Sequence, residues 1–567
     1  CIRVANRPFD LSLTAKRTNS ETQLCENYDP TNILFWSEYI EPSTPKGLNV
    51  EINGNIIGQS FGDTKALRID FIGGRATVKA NYPDAGAIKI HVQDQDNSNI
   101  IGEVQSIINP LQLLLENIKS MDDKQNPETT DRGDGFIRAS VPDYNNLAVD
   151  SFDVTVTAIK DCSNDPNKHC TGAYGKKTPS FANQIDLVPS LIFPVDGNLG
   201  RLQYDGDDGF KQHLTAGQFS YKNLAYDEVG TLGLIAKTVD DEGDDGYLLA
   251  GNHIQSSTTK SIGRFYPDYL AYGGFTAIPS CNDGFTYLGQ QAIELSYSMK
   301  AYAQGGLKVT TNYDHQLGYP VANNDNFYHY AYDQRPIELT ERLMPSSYYQ
   351  QELWDDGQYN IVDLLFGVNR SSTPDGPYFS DNRIDYFIQL TGFDNEKIQQ
   401  DSGMYCTADK CELGDLGDLA YGRLQAGNGH GSEFQPIRTG VEATYYDGNK
   451  FIKMPRDVCT GVQLNQPSKE SEPTDFATET AISILNNPLI NGKSYFEFSA
   501  PEKTGKLNYF VRLQSATDPL LETPWLLDTG NAVACPNELA QDCISGYVEF
   551  GLFRGNDRII YRLQTFD

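Results

Sequence analysis

Apolar and polar residues alternate with a period of two along most of the chain, which is typical of β-strands that bury one face. Leu48, Val50 and Ile52 alternate in this way and lead into Asn53-Gly54. These two turn residues tolerate the positive φ angles that a type I′ hairpin turn requires. The pattern therefore predicts short antiparallel strands joined by tight turns.

One motif occurs twice. The segments 82–86 (YPDAG) and 226–230 (YDEVG) share their Tyr, their Gly and the spacing of the apolar residues that follow. In immunoglobulin-like sandwiches, a Tyr at the corner before a late strand hydrogen-bonds back to the backbone. The repeat therefore predicts two sandwich domains of this kind.

A single segment, 101–121, has the spacing of an amphipathic helix. Its apolar residues recur three and four positions apart, and they are Ile101, Val104, Ile107, Ile108, Leu111, Leu114, Leu115 and Ile118. Such spacing places them on one helical face, and Pro110 would kink or split the helix. We expect the helix to pack on its own domain, with a groove on a partner as the alternative.

The predicted fold is all-β, with tandem immunoglobulin-like β-sandwich domains and one inserted helix. Length and the restarts of the alternating pattern set the domain boundaries. The predicted domains are a sandwich at 1–98, a helical insertion and linker at 99–135, a second sandwich at 136–262, a β-rich domain at 263–417 and a C-terminal sandwich at 418–567. A hairpin is predicted between 548 and 563.

Ten cysteines indicate the cellular compartment. Most have a near neighbour in the sequence, and an even count of this kind fits disulfides formed in an oxidising environment. Pairing neighbours leaves Cys281 and Cys459 for one long-range bridge. The predicted disulfides are Cys1–Cys25, Cys162–Cys170, Cys406–Cys411, Cys535–Cys543 and Cys281–Cys459. The alternative is a set of unrelated buried thiols, although such thiols usually lie in apolar runs.

Acidic residues dominate the charge of the chain. Its 76 Asp and Glu residues outnumber its 45 Lys and Arg residues, which gives a formal net charge of −31. This charge repels phosphate backbones and anionic lipid headgroups, so nucleic acid and membrane surfaces are not expected partners. Because no apolar stretch is long enough to span a bilayer, no direct membrane insertion is expected.

Motifs for catalysis are weak. The segment 58–62 (GQSFG) fits G-x-S-x-G, but the residues after it predict a strand, whereas a nucleophile elbow opens a helix. Gly492-Lys493-Ser494 resembles the end of a phosphate-binding loop but lacks the earlier glycine. The seven histidines lack metal-ligand spacing. The chain is therefore not expected to be an enzyme, and polysaccharide cleavage by paired carboxylates is the remaining catalytic alternative.

Acidic loops and tryptophans are the candidate ligand sites. The loops at 94–97, 205–209 and 240–246 are rich in the carboxylate oxygens that calcium prefers, but none fits the EF-hand pattern. No cofactor is expected, and calcium is the one ion that such a loop would bind. Most aromatic residues of a sandwich lie in its core. The tryptophans considered for stacking on sugar rings are Trp36, Trp354 and Trp525.

The C-terminal part of the chain carries several motifs in a fixed order. They are YGRL at 421–424, HGSE at 430–433, YYDG at 445–448, DVCT at 457–460 and FGLFRGNDRIIY at 550–561. In this order they resemble the C-terminal part of MshQ proteins, and GRFYPD at 263–268 and GFTY at 284–287 extend the resemblance. The MshQ family belongs to the gene cluster of the mannose-sensitive haemagglutinin (MSHA) pilus, a type IV pilus of Gram-negative marine bacteria.

The resemblance implies a pilus-associated protein that is secreted or exposed on the cell surface, and it offers no catalytic residues. We expect a structural scaffold or stalk of an adhesin, an elongated array whose partners are pilus subunits or other surface proteins. The alternative is a glycan-binding adhesin module that uses calcium or stacked aromatic residues.

Overall fold

The structure is a computed structural model of the 567-residue chain. It describes residues 2–17, 22–42, 47–128, 134–141, 150–203, 216–239, 246–249, 251, 253–305, 308–322, 327–344, 354–390, 393–394, 396–400, 406, 410–464, 470–472, 480–512, 524–527, 532–536 and 542–551. These residues form two compact units. The first contains 1–269, 301–321 and 354–358, and the second contains 270–300, 322–353 and 359–567.

The described residues contain β-strands and short 3₁₀ turns but no α-helix. The 3₁₀ turns are Phe61–Asp63, Tyr247–Leu249, Thr340–Arg342, Ser380–Asn382 and Pro524–Leu526. No helix in this part of the chain is long and apolar enough to cross a membrane.

The first sandwich of unit 1 has two facing sheets. Its strands are Ile2–Val4 (β1), Phe9–Thr14 (β2), Ile33–Glu41 (β3), Glu51–Ile52 (β4), Asn55–Ile56 (β5), Lys65–Leu67 (β6), Arg75–Asn81 (β7), Gly86–Asp94 (β8) and Ile101–Asn109 (β9). One sheet has the order β1-β9-β8-β3-β6 and the other β2-β7-β4-β5. Leu11 and Val78 from one sheet meet Phe35 and Ile90 from the other in a shared core, as alternation in the sequence predicts.

The predicted turn at Asn53-Gly54 is present. β4 and β5 pair antiparallel around it, and φ is 48° at Asn53 and 74° at Gly54. Both angles lie in the left-handed region, which Asn and Gly adopt at low cost.

The helix predicted over 101–121 is wrong, and so is the helical insertion at 99–135. Ile101–Asn109 forms β9 of the first sandwich, and Gln112–Ser120 forms β10 of the second. A bulge at Asn117, where φ is 53°, shifts the register of β10 and lengthens its apolar spacing from two to three. This spacing imitates a helical period, while the many Ile and Leu residues pack well on a sheet. The buried residues of β10 are Leu113, Leu115, Ile118 and Ser120.

The second sandwich of unit 1 follows directly. Its strands are β10, Ile137–Arg138 (β11), Phe152–Ile159 (β12), Ile185–Phe193 (β13), Leu202–Gln203 (β14), Gln218–Tyr226 (β15), Gly230–Thr238 (β16) and Lys260–Tyr266 (β17). The sheets have the orders β10-β12-β15-β14 and β11-β17-β16-β13. Val154 and Phe219 from one sheet meet Leu232 and Ile262 from the other in the core.

The repeated motif occupies the same corner of both sandwiches. Tyr82 precedes β8 and Tyr226 precedes β16, and both side chains are buried. The hydroxyl of Tyr226 accepts a hydrogen bond from the N–H of Gly200 at 3.0 Å, which is the backward bond expected of such a corner.

A second group of strands lies wholly or mainly in unit 2. These strands are Tyr269–Ile278 (β18), Phe285–Tyr287 (β19), Ile293–Tyr302 (β20), Phe327–Asp333 (β21), Leu343–Met344 (β22), Gln358–Val368 (β23), Ile384–Leu390 (β24), Lys397–Gln400 (β25), Cys411–Asp415 (β26) and Asp418–Ala420 (β27). Two sheets have the orders β22-β23-β20-β18-β25 and β21-β24-β26, and β19 pairs with β27 in parallel.

The C-terminal sandwich completes unit 2. Its strands are Gly422–Ala426 (β28), Gly429–Gly431 (β29), Ile437–Tyr446 (β30), Phe451–Lys453 (β31), Gln463–Leu464 (β32), Glu470–Glu472 (β33), Ile482–Ile484 (β34), Lys493–Phe498 (β35), Gly505–Arg512 (β36), Ala532–Ala534 (β37) and Asp542–Phe550 (β38). One sheet joins β28-β30-β35-β34 and the other β29-β38-β36-β32. β38 is the first strand of the predicted terminal hairpin, and the second lies outside the described residues. The predicted all-β, immunoglobulin-like fold class is thus confirmed.

Candidate functional site

The two weak catalytic motifs lie in structures that do not suit catalysis. Ser60 has an extended backbone, with φ −155° and ψ 164°, and precedes a short 3₁₀ turn instead of an α-helix. Gly492 forms a turn that enters the strand β35, and the hydroxyl of Ser494 donates to the carbonyl of Asn486 at 2.7 Å. Neither segment opens a helix, so neither provides a nucleophile elbow or a phosphate-binding loop.

One group of potential metal ligands occurs in the described part of the chain, and it consists of Cys281, Asp457 and Cys459. The two sulfur atoms are bonded to each other. They cannot act as thiolate ligands in this state, because thiolates are what bind metals. This cluster is therefore a disulfide next to a carboxylate.

The acidic loop at 94–97 uses its carboxylates within the fold. The Oδ1 atom of Asp94 accepts backbone N–H bonds from Asp96 at 2.8 Å and Asn97 at 3.2 Å. Its Oδ2 atom accepts the hydroxyl of Tyr28 at 2.7 Å. The loop residues 205–209 and 240–245 lie outside the described residues, so calcium binding there stays a prediction.

Four disulfides crosslink the described residues in the pairing expected from the sequence. They are Cys162–Cys170, Cys281–Cys459, Cys406–Cys411 and Cys535–Cys543. Cys25 has no disulfide partner among the described residues. Its predicted partner, Cys1, lies outside them.

The Cys162–Cys170 loop contacts the first sandwich, and we call this contact the first joint. The guanidinium of Arg7 pairs with the carboxylate of Asp161 at 2.6 Å, and the Asn6 amide donates to the Asp161 carbonyl at 2.8 Å. From the loop itself, Asn167 donates to the buried carboxylate of Glu51 at 2.7 Å. The disulfide therefore constrains a loop of the second sandwich that is hydrogen-bonded to the first.

A buried carboxylate lies beside the first joint. Asp84, from the first copy of the repeat, accepts N–H bonds from Ala85 at 2.8 Å and Ser180 at 3.0 Å. Burial raises the pKa of Asp84, and hydrogen bonds from Ser180 and the charge of buried Lys160 partly offset this effect. Burial lowers the pKa of Lys160, against the attraction of Asp84. Asp84 thus connects the two sandwiches, because its carboxylate accepts the backbone N–H of Ser180.

The acidic residues of the second repeat form a second joint, with the segment 308–312 of unit 1. The ammonium of Lys308 lies 2.9 Å from Asp227 Oδ1 and 3.4 Å from Glu228 Oε2. The backbone N–H of Asn312 donates to Glu228 Oε1 at 3.2 Å, and its side-chain amide donates to the Val229 carbonyl at 3.1 Å. Both carboxylates are almost fully buried.

Their buried charges are stabilised to different extents. Burial raises the pKa of Asp227, but bonds from Lys308 and from the backbone N–H of Arg201 outweigh burial and hold the pKa below its usual value. Burial raises the pKa of Glu228, and Lys308 only partly offsets it. Asp227 also pairs with the guanidinium of Arg201 at 3.0 Å, whereas Lys308 is the cation that pairs with Glu228 in the described part of the chain.

A third joint lies within unit 2, and it is formed around Asp418, Tyr287 and the Cys281–Cys459 disulfide. Asp418 accepts bonds from Arg383 Nε at 3.0 Å and Arg456 Nη1 at 2.7 Å. The buried hydroxyl of Tyr287 donates to Asp457 Oδ2 at 2.8 Å, and burial raises the pKa of Tyr287. The Cys281–Cys459 disulfide closes the same contact between residues 178 positions apart.

The three tryptophans differ in their access to solvent. Trp354 is 1% exposed and packs edge-on against Tyr313, so it cannot stack on a sugar. Trp525 packs against the core of the C-terminal sandwich. Trp36 lies on the outer face of the first sandwich, where its ring stacks on His91 with centroids 5.0 Å apart.

The neighbours of Trp36 complete a small aromatic surface. Phe61 meets the indole edge-on at 5.2 Å and is 60% exposed. His91 lies 3.4 Å from a carboxylate oxygen of Glu38 and 3.4 Å from one of Glu103. We call this group the Trp36 surface. Phe61 is the exposed ring of the group, whereas Trp36 is half-buried against His91. Aromatic rings beside carboxylates can stack on sugars and bind hydroxyl groups.

The sequence predicted the four disulfides of the described residues and included Trp36 among three candidate tryptophans, but it did not predict the joints. The sequence analysis noted Asp227 and Glu228 only as members of the repeated motif, and their place inside this apolar corner was a signal of burial. Lys308 and Arg7 are distant from their partners in sequence, and nothing in the local pattern marks them.

The fold and its joints define a protein of tandem immunoglobulin-like β-sandwich domains. Three family models match it: DUF6701, first Ig-like domain, at residues 2–105; DUF6701, third domain, at 228–412; and DUF6701, fourth domain, at 420–563. The chain therefore contains DUF6701 domains. No curated protein matches the chain.

Solved structures with tandem domains are similar at low identity. Invasin, a bacterial integrin-binding protein, is 8% identical, with 90% of this chain and 77% of invasin covered and a TM-score of 0.27. The Escherichia coli adhesin FdeC is 10% identical, with 76% and 98% covered and a TM-score of 0.31. The titin fragment I67–I69 is 8% identical, with 73% and 94% covered and a TM-score of 0.25. Similarity this low carries no information on function.

Proposed function

We propose that the chain is a secreted or surface-exposed scaffold or stalk of a type IV pilus-associated, MshQ-like adhesin. The observation that carries this proposal is the first joint, where a disulfide-closed loop of one sandwich is hydrogen-bonded to the next. A scaffold must transmit force between domains. Crosslinks and buried ion pairs at a joint oppose local opening, which otherwise occurs where few contacts hold a segment.

The charge and the disulfides support the location. A net charge of −31 keeps a surface protein soluble and away from anionic lipid. The four disulfides are stable in an oxidising compartment. The ordered sequence motifs of the C-terminal part favour the pilus context.

Fractionation of the native cells tests this function. Antibodies against the chain should label intact cells, and shearing should release the protein together with pilus subunits. Chemical crosslinking of the sheared fraction should join it to those subunits. Recovery of the protein from the cytosol, or from the surface of cells without any contact with pilus subunits, would contradict the proposal.

A second candidate function, glycan binding by an adhesin module, is favoured by the Trp36 surface. A glycan array probed with the whole chain should show binding that Trp36→Ala abolishes. Tyr495→Ala is the matched control, because Tyr495 is another exposed aromatic residue, 48% accessible, in a different sandwich. A parallel array with chelator tests whether calcium is needed. Equal binding by wild type and Trp36→Ala would exclude this surface.

A further inference from the structure

The second joint brings an amine and two carboxyl groups together inside unit 1. Lys308 Nζ lies 3.4 Å from Glu228 Oε2, and it donates to Asp227 Oδ1 at 2.9 Å and to the Asp227 carbonyl at 2.6 Å. Asp227 is 0% exposed and Glu228 is 2% exposed, whereas Lys308 is half-buried. Lys308 and Glu228 are 80 positions apart in the sequence. The fold therefore holds a primary amine beside a carboxyl group that is removed from bulk water.

The carboxyl group of Glu228 is surrounded by hydrogen-bond donors. Its Oε1 atom accepts the N–H of Val229 at 3.0 Å and that of Asn312 at 3.2 Å. Its Oε2 atom accepts the N–H of Thr311 at 3.1 Å and the hydroxyl of Thr311 at 3.2 Å. Donors fixed in this way stabilise the negative charge that develops on oxygen when a nucleophile adds to the carboxyl carbon. The arrangement suits acyl transfer at Glu228.

The two carboxyl groups differ in the state that burial favours. Burial raises the pKa of Glu228, and Lys308 only partly offsets this effect, so the neutral acid that an amine can attack is favoured there. Burial also raises the pKa of Asp227, but bonds from Lys308 and Arg201 outweigh burial and keep this group ionised. An ionised carboxylate 2.9 Å from the amine can accept a proton from it.

Lysine distinguishes the second joint from several other buried ion pairs of the protein. The buried carboxylates of Asp161, Asp333 and Asp418 pair with arginines. A guanidinium keeps its proton in proteins, so it offers no free lone pair. The amine of a lysine can lose its proton next to a carboxylate and act as a nucleophile. The second joint can therefore undergo a reaction that the arginine pairs cannot.

We propose that Lys308 and Glu228 condense to an amide, which crosslinks the second sandwich covalently to the segment 308–312. The ammonium first gives a proton to the Glu228 carboxylate, which leaves a neutral amine and a neutral acid. Nζ of Lys308 then attacks Cδ of Glu228, so that the N–C bond forms and the C–OH bond breaks. The proton that the nitrogen loses passes through Asp227 to the departing hydroxyl, which leaves as water. The ion pair in the structure is the reactant of this step.

The fold supplies the driving force for the condensation. In dilute solution, water favours the separate acid and amine, whereas groups held in a reacting geometry reach effective molarities of about 10⁵–10⁸ M. Removal of the site from bulk water also opposes hydrolysis of the product. An amide suits a scaffold under load, because its opening requires cleavage of a covalent bond. Its formation does not rest on the pilus-associated function.

Mass spectrometry of the reduced and denatured full chain tests the proposal. Most of the wild-type protein should be lighter than its sequence by one water molecule. After alkylation and tryptic digestion, the peptide with Glu228 should be joined to the peptide with Lys308, and cleavage after Lys308 should be lost. Lys308→Arg should abolish both the mass deficit and the linked peptides. Lys79→Arg is the matched control and should keep them, because Lys79 pairs with Asp10 in an exposed ion pair at 2.7 Å.

Peptide mapping separates the crosslink from other losses of water. A succinimide at Asp447-Gly448 loses the same mass, but it leaves Glu228 and Lys308 in separate peptides. A wild-type mass equal to that of the sequence, separate peptides, or an unchanged deficit in Lys308→Arg would each overturn the proposal. If Lys308→Arg does not fold, the wild-type mass and peptides decide alone. If it folds, its difference in stability from Lys308→Met measures the ion pair without the crosslink.

Discussion

Gly86 and Gly230 make the same close backbone approach in two different sandwiches. A Cβ atom on Gly86 would lie 2.4 Å from the carbonyl oxygen of Glu41, and one on Gly230 would lie 2.2 Å from that of Phe193. Their φ angles are 140° and 124°, a region that is essentially restricted to glycine. Both glycines begin the strand after the repeated corner, so the sequence repeat reflects a shared steric requirement.

Alanine at either glycine should therefore destabilise its own sandwich. We expect Gly86→Ala and Gly230→Ala each to lower the free energy of unfolding by about 3 kcal/mol, from strain and overlap together. Gly47→Ala is the control, because Gly47 also has a positive φ, 74°, but open space around it; about 1 kcal/mol is expected there. Denaturant unfolding followed by hydrogen exchange of each sandwich measures these differences, and equal effects at all three sites would be inconsistent with the steric argument.

Removal of the Cys162–Cys170 disulfide should loosen the first joint. The variant Cys162→Ser/Cys170→Ser should lose about 2–3 kcal/mol, because the unfolded loop is no longer constrained. Faster hydrogen exchange is expected in 161–170 and at the Glu51 strand that the loop contacts. The matched control is Cys535→Ser/Cys543→Ser, whose bridge has the same sequence separation of 8 but lies in the C-terminal sandwich. If the Glu51 strand responds equally to both double variants, the loop does not maintain the joint.

Lys308→Met should destabilise the second joint, because it removes the ammonium partner of the buried Glu228 carboxylate and leaves Asp227 paired only with the guanidinium of Arg201. Loss of one partner of a buried pair typically costs about 3–5 kcal/mol. Lys308 is 31% exposed, so screening reduces the expected loss to about 2–3 kcal/mol. Lys79→Met, which breaks an exposed pair with Asp10, should cost less than about 1 kcal/mol. Similar losses in the two variants would show that the second joint contributes little.

His329 should make the stability of unit 2 depend on pH. Burial lowers its pKa to about 3, and its Nδ1 atom lies 2.8 Å from the hydroxyl of Tyr386. The unfolded chain takes up a proton near pH 6.5, whereas the folded chain does not until about pH 3. The contribution of neutral His329 to the free energy of unfolding is therefore complete above pH 6.5. Below pH 6.5, the free energy of unfolding falls by about 1.4 kcal/mol per pH unit.

A comparison with His329→Phe isolates this contribution. The variant lacks the proton uptake, so its stability relative to wild type should improve steadily as the pH falls from 6.5 to 4. Urea unfolding of both proteins at several pH values gives the difference. A difference that is constant with pH would contradict the assigned pKa.

The sequence was informative wherever one local rule decided the structure. Asn53-Gly54 determines its own turn, and closely spaced cysteines in polar loops determine their own partners. The segment 101–121 was misleading because the bulge at Asn117 inserts a residue, and a strand with a bulge has the apolar spacing of a helix. The spacing of apolar residues in one segment contains no information on the neighbouring strands, and pairing with those strands decides whether the segment forms a helix or a strand.

The joints could not be predicted because they depend on contacts between distant residues. Arg7 meets Asp161 and Lys308 meets Asp227 only after the strands between them have folded. In a chain with 76 acidic residues, composition gives no reason to select the buried ones.

The most direct test of the extracellular scaffold is disulfide mapping of the protein released from the surface of its native cells. Digestion without reduction, followed by mass spectrometry, should recover Cys281 linked to Cys459 and the three short-range pairs, with little free thiol at these positions. Free thiols at most of these cysteines, in protein alkylated at the moment of cell lysis, would contradict the account.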